Sequence, residues 1–223
     1  PKEIDPTLSI AEKIPWMEKW VEEAHALAKE AGFTTQQLEQ AVRDSQLGLR
    51  EKVDDMLQFC RTRRFPVLVF SAGIADVVLE VFRQRLAPEN AVEVFANKMQ
   101  FDAAGRLAGF APPSHHVFNK RLSAYYSAKA PGGGPSAPVS EDCEWFLDTK
   151  PDPSLSQDKD WGIVCIGDSL GDADIVDVPC AECLNIGFLN CQVEEKLATY
   201  RERFDIVLTG DGDFQPILDF CYA

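Results

Sequence analysis

Strand-length apolar runs alternate with helix-length amphipathic ones over the C-terminal two thirds of the chain, and this constrains the fold more than any other feature. "FPVLVFSAG" from Phe65 is rich in β-formers and precedes the helical pattern "IADVVLEVFRQRL". "AVEVFA" follows, and then "MQFDAAGRLAGF", which reads as a hairpin around Ala-Ala-Gly. Later come the strands "WGIVCIG", "CLNIGF" and "DIVLT", with the helix "VEEKLATYRERF" before the last and "FQPILDFCY" closing. Apolar strands separated by helices predict an α/β fold, a mostly parallel sheet with helices on both faces. Ligands of such sheets bind outside the carboxyl ends of the strands.

The N-terminal part reads differently. Residues 9–31 form a helix: Ser9 caps it, Glu12 completes a capping box, and Ile10, Ile14, Met17, Trp20, Val21, Ala24, Leu27 and Ala28 recur at helical spacing before Gly32. Thr34 or Thr35 opens a second helix carried by Leu38, Val42, Leu49, Val53, Met56 and Leu57. The expectation is a helical lobe over residues 1–60 and a sheet-based core over 61–223. Residues 128–160, Gly/Pro/Ser-rich and then acidic, read as a surface insertion in that core.

The net charge of −14 opposes a general electrostatic grip on nucleic acid. No apolar run reaches the roughly 20 residues that a membrane span needs, and "PKEIDPTLSIAEK" has no secretory pattern. The seven cysteines are scattered, and Cys180 and Cys183 form a CxxC without an evident fourth zinc ligand. A cytoplasmic monomer with reduced thiols is the expectation.

Three features fall where strands should end. Ser71, Ala72 and Gly73 precede a helix, and a hydroxyl beside a helix N-terminus suits a phosphate; Ser71 alone would read better as a helix cap. The stretch "GDSLGDADIVD" places four aspartates after "WGIVCI". Carboxylates repel phosphate but can hold a hard cation that bridges to it, and Mg²⁺ takes one or two of them with waters and a substrate oxygen. Asp168, at the strand tip, is the direct candidate, and Asp172 should begin the next helix facing the same site. Asp174 and Asp177 read as solvated or as helix N-terminal charge. Lys120, in "HHVFNKRL" after a possible short strand, could neutralise phosphate. His115 and His116, as neighbours in a strand, would point to opposite faces and are read as structural.

With these residues in place the chain resembles the haloacid dehalogenase superfamily of phosphatases and, within it, the cytosolic 5′-nucleotidase III (pyrimidine 5′-nucleotidase) family. "IPWMEKWVEEAH", "VFSAGIADVVLEVFRQ", "MQFDAAGRLAGF", "HHVFNK", "IGDSLGDADIVD" and "NIGFLNCQVEEKLATYRERFDIVL" carry the likeness, in the family's order, over all but the insertion. The resemblance implies a Rossmann-like core with a helical cap and a Mg²⁺-dependent hydrolysis of nucleoside 5′-monophosphates, such as CMP or UMP, to nucleoside and phosphate through an aspartyl-phosphate. It implies that Ser71 and Ala72, with Gly73, bind the phosphoryl group and that Lys120 is the third-motif lysine. Asp168 becomes the Mg²⁺ ligand, Asp172 its supporting carboxylate, and Glu3 a reader of the base. Ala24 stands where the family has a serine in the base pocket.

The family's first motif, D-x-D-x-T, supplies the nucleophile and the acid/base aspartate. "EIDPT" at residues 3–7 imitates it, but only Pro1 and Lys2 precede Glu3, too few to form the buried strand the motif must end. The resemblance therefore implies that the first strand and its motif are missing from these 223 residues, which alone should be inactive. Two alternatives stand beside this reading: a non-catalytic nucleotide- or metal-binding module that kept the fold, and a phosphatase acting on sugar phosphates.

Overall fold

The computed structural model describes residues 2, 5, 7–87, 92–129 and 162–222. Glu3 and residues 130–160 of the insertion expected at 128–160 lie outside the described residues. Helix α1 spans Ile10–Ala31. The Ser9 hydroxyl accepts from the Glu12 amide at 3.3 Å and the Glu12 carboxylate accepts from the Ser9 amide at 2.9 Å, so two of the donors a helix start leaves open are satisfied. The helix stops at Gly32, whose φ of 60° is left-handed, and it buries Met17 and Val21. Helix α2, Thr35–Asp44, starts with a second capping box, Thr34 with Gln37.

The continuous second helix expected from Thr34 to Leu57 is in fact two. After α2 the chain runs without regular structure, and α3 begins again at Val53–Arg63. Ser45 adopts extended backbone and turns its hydroxyl back onto the Val42 carbonyl at 2.7 Å, closing α2. Apolar periodicity continued across this break because α3 has a core of its own to face. Its Phe59 and Cys60 pack with Leu218 of the last helix, α7 (Gln215–Tyr222).

Strand β1, Leu68–Ile74, pairs in parallel with β2, Glu93–Asn97, through the crossover helix α4, Ala75–Arg85. Strands β3, Met99–Phe101, and β4, Leu107–Phe110, form the expected antiparallel hairpin. Helix α5, Leu122–Lys129, comes next. A second parallel set follows in the order β5 (Gly162–Gly167), β6 (Glu182–Leu189), β7 (Ile206–Thr209), with α6 (Val193–Arg201) between β6 and β7.

The two parallel sets share a core without sharing a ladder. Phe95, Leu122 and Tyr125 form a buried cluster that gathers Leu68 and Phe70 from β1 and Ile163 from β5. Among the described residues, β1 is hydrogen-bonded only to β2 and β5 only to β6. β1 is half-buried over six of its seven residues, whereas every residue of β2 is buried.

The hairpin links the helical lobe to this core. The Leu107 amide donates to the Phe33 carbonyl at 2.9 Å, the Thr35 amide to the Gly105 carbonyl at 3.2 Å, and the His25 and Phe110 rings stack at 3.7 Å. From the other side, the Arg85 guanidinium donates to the Val42 and Ser45 carbonyls at the end of α2.

Candidate active site

Ser71, Ala72 and Gly73 fall within an irregularity of β1. Phe70 is in register with Phe95 and Ile74 with Asn97, so three residues on β1 stand opposite the single Ala96 on β2. The extra residues form a bulge, which re-aims side chains at a strand end. The Ser71 hydroxyl accepts from the Gly73 amide at 3.0 Å. A Cβ added to Gly73 would come within 3.2 Å of that hydroxyl. Helix α4 starts from Ile74 with no side-chain cap, so Ser71 is not its N-cap. The helix-cap alternative for Ser71 falls away.

At the tip of β5, Gly167 leads into a 3₁₀ turn, Leu170–Asp174, in place of the α-helix expected to start at Asp172. The Asp172 carboxylate folds back beneath this turn. One oxygen accepts from the amides of Asp168 and Ser169, both at 3.0 Å, and the other pairs with the Lys120 ammonium. Both partners are nearly inaccessible, Lys120 at 7% and Asp172 at 4%. A Cβ on Gly167 would overlap the Asp172 side chain, which is why a glycine precedes the aspartate pair.

Asp168 is exposed, and among the described residues its carboxylate has no hydrogen-bond or ion-pair partner. Its backbone is held instead. The Tyr200 hydroxyl, on α6, donates to the Asp168 carbonyl at 2.6 Å, and burial raises the pKa of this phenol. Beneath the turn, the Cys165 thiol donates to the Asp172 carbonyl at 3.3 Å, and burial pushes it up to about 12, which leaves it unreactive.

This donor set fits a hydrated divalent cation better than an all-protein cage. No three His, Cys, Asp or Glu side chains converge among the described residues. One open carboxylate beside a second that orients the loop matches the sparse protein ligation of Mg²⁺.

Asp174 and Asp177 stand elsewhere. Asp174 pairs with Arg203 at 2.5 Å. Asp177 accepts from the amide and hydroxyl of Ser123 at 2.8 and 2.6 Å, at the start of α5. The short strand considered for "HHVF" is a loop. Both histidines in it are buried, and burial lowers their pKa values below 6.5. The loop is laced from within, since Asn119 accepts from the His116 amide at 2.7 Å and donates to the Ser114 carbonyl at 2.9 Å.

In the first-motif imitation, Asp5 accepts from the amide and hydroxyl of Thr7 at 2.9 and 2.6 Å. That is a local turn ahead of α1. Sequence reasoning missed Asn97, Asn119 and Tyr200. The one available signal was an asparagine closing the strand-like run "VEVFAN".

A parallel α/β core with a helical lobe, and a lysine–aspartate pair beside an open carboxylate at its strand ends, defines a haloacid dehalogenase-like fold. The pyrimidine 5′-nucleotidase (UMPH-1) family model matches residues 1–219, and the chain belongs to that family. It is 35% identical over 213 residues to a 7-methylguanosine phosphate-specific 5′-nucleotidase A of Xenopus laevis, covering 95% of this chain and 66% of the relative. The human protein named 7-methylguanosine phosphate-specific 5′-nucleotidase is 32% identical over 213 residues, with coverage of 95% and 63%. A crystal structure of cytosolic 5′-nucleotidase IIIB bound to cytidine superposes with a TM-score of 0.72 at 31% identity, covering 96% of this chain and 64% of that one. The chain thus spans just under two thirds of the length of these relatives. No helix among the described residues is long and apolar enough to cross a membrane.

Proposed function

We propose that the complete protein is a cytoplasmic, monomeric phosphohydrolase of nucleoside 5′-monophosphates, releasing nucleoside and phosphate. The observation that carries this reading is the buried Lys120–Asp172 pair set against the open carboxylate of Asp168 at the end of β5. Ser71 and the backbone of Ala72 and Gly73 take the phosphoryl oxygens, and Lys120 offsets their charge. Asp172 holds the lysine and the Asp168–Ser169 backbone in place. Asp168 holds Mg²⁺, which supplies charge neutralisation at the phosphoryl group when bound.

The nucleophile belongs to a further strand. We place that strand between β1 and β5, which pack on one core cluster and each have one edge without a ladder partner among the described residues. An aspartate at its carboxyl end would face both loops. Its carboxylate oxygen bonds to phosphorus as the ester oxygen leaves with a proton from the motif's second aspartate. Water then hydrolyses the acyl phosphate and frees the carboxylate.

Pyrimidine monophosphates are the substrates that the family description favours. The names of the relatives add 7-methylguanosine 5′-monophosphate, and Glu3 remains the candidate reader of the base. The test compares the full-length protein with the 223-residue chain on CMP, UMP, 7-methylguanosine 5′-monophosphate and a hexose phosphate, with Mg²⁺ and with EDTA. Mg²⁺-dependent turnover of a nucleotide by the long form only is the expected result. Binding without turnover by both forms would make the protein a non-catalytic module. Preference for the hexose phosphate would move the substrate class, and robust turnover by the short chain would overturn the missing-nucleophile reading.

A further inference from the structure

Asn97 closes β2 at 2% exposure, and its whole side chain is spent on the two loops that flank the proposed phosphate site. Its amide nitrogen lies 2.9 Å from the Ala72 carbonyl, 3.1 Å from the Gly73 carbonyl and 2.9 Å from the His115 carbonyl. Its oxygen accepts from the His115 amide at 2.8 Å. A primary amide has two N–H bonds, so three carbonyls share two protons, and only this orientation matches every partner. The reason lies in the register. Where three residues of β1 oppose one of β2, the ladder cannot serve the carbonyls of the bulge. Asn97, the next residue on β2, serves them with its side chain. The same side chain makes a two-way pair with His115, five positions ahead of Lys120.

We propose that Asn97 is a positioning residue, which fixes the Ser71–Gly73 bulge and the Lys120 loop relative to each other so that both address one phosphoryl group. The proposal rests on the phosphohydrolase reading above. Asn97 itself touches no substrate in this account. Its effect comes through the placement of Ser71 and Lys120, and small misplacements of such groups cost on the order of a hundredfold in rate. Among the described residues no neighbouring side chain duplicates it. Asn119 laces the Lys120 loop only to itself, and Asp76 of α4 accepts from the Met99 amide, beyond the end of β2.

The test uses the full-length protein with Asn97→Asp, which keeps the shape but turns a carboxylate onto three carbonyl oxygens, and Asn97→Ala, which removes every contact. Turnover of CMP is measured together with the affinities for inorganic phosphate and for cytidine, and melting temperatures verify folding. Each variant is also combined with Ser71→Ala in a double-mutant cycle.

Expected are a loss of kcat of about a hundredfold, weakened phosphate binding and unchanged cytidine binding. In the cycle, Ser71→Ala should cost little once Asn97 is gone, because contacting groups that act through one another do not add. Parent-like phosphate affinity in a folded variant overturns the proposal. So does an equal loss of phosphate and cytidine binding, strict additivity with Ser71→Ala, or failure of both variants to fold, since each makes Asn97 a general structural residue. A parent protein that binds phosphate but hydrolyses nothing would sink the phosphohydrolase reading alone; the phosphate titration would then still decide the clamp.

Discussion

Gly167 has no room for a side chain, and the obstacle is the Asp172 carboxylate, which braces the candidate site. A methyl group there meets the Asp172 side chain itself rather than the far end of something flexible. Gly167→Ala should therefore displace Asp172 from the amides of Asp168 and Ser169 and reduce phosphate affinity together with stability. Parent-like values of both in the folded variant would refute this. The Lys120–Asp172 pair makes a second prediction. Two charges this deeply buried tolerate joint replacement far better than the loss of one. Asp172→Asn strands the ammonium and should cost about 3–5 kcal/mol in urea unfolding, whereas Lys120→Met combined with Asp172→Asn should cost clearly less than the two single changes added. Additive losses would show that the pair is not coupled.

Among the elements, those read best from sequence carry their reasons locally. The Ser9 capping box, the helix start at Thr34 or Thr35, the Gly32 stop and the β3–β4 hairpin are legible because residues within a few positions make them. The misreadings are of tertiary origin. Helical periodicity ran across Ser45 to Lys52 because α2 and α3 each bury an apolar stripe, but against different partners. In the candidate site, Ser71, Asp168 and Asp172 stand out by residue type after apolar strand-like runs, and Lys120 as a lysine opening a helical run. Asn97 and Tyr200 do not, since their meaning lies in backbone groups brought to them by the fold. Asp177, read as solvated or as helix N-terminal charge, does sit at a helix start, but at that of α5, remote in sequence, which it caps through Ser123. Asp177→Ala should cost about 0.5–2 kcal/mol in thermal or chemical unfolding, as cap losses do. It should leave phosphate affinity unaltered, and a change confined to affinity would place Asp177 in the site instead.

Over the whole molecule, acid should weaken the fold in a window that belongs to the histidines. His25, His115 and His116 are the three histidines of the chain. Burial lowers the pKa of each below the ordinary 6.5, only partly offset at His116 by the Glu18 carboxylate. The unfolded chain, titrating near 6.5, then binds more protons than the folded one as pH falls. The stabilisation is fully present above 6.5 and is lost as pH drops from there toward the folded values. Carboxylates held low by hydrogen bonds, such as Glu80 and Asp102, give up their share only below about 4.5. Net charge works in the opposite direction: the chain carries −14 at pH 7 and has a pI near 4.6, so acidification relieves repulsion. A fall in the urea midpoint between pH 7 and pH 5 would thus run against the global electrostatic trend and point to the buried imidazoles. His116→Asn offers the control, because its side-chain oxygen can accept from the Phe118 amide as the imidazole Nδ1 does, at 3.2 Å, without titrating. This variant should flatten the slope while keeping the loop ahead of Lys120 in place. A midpoint that rises on acidification, or a slope indifferent to His116, would leave charge repulsion as the dominant influence on stability in this range.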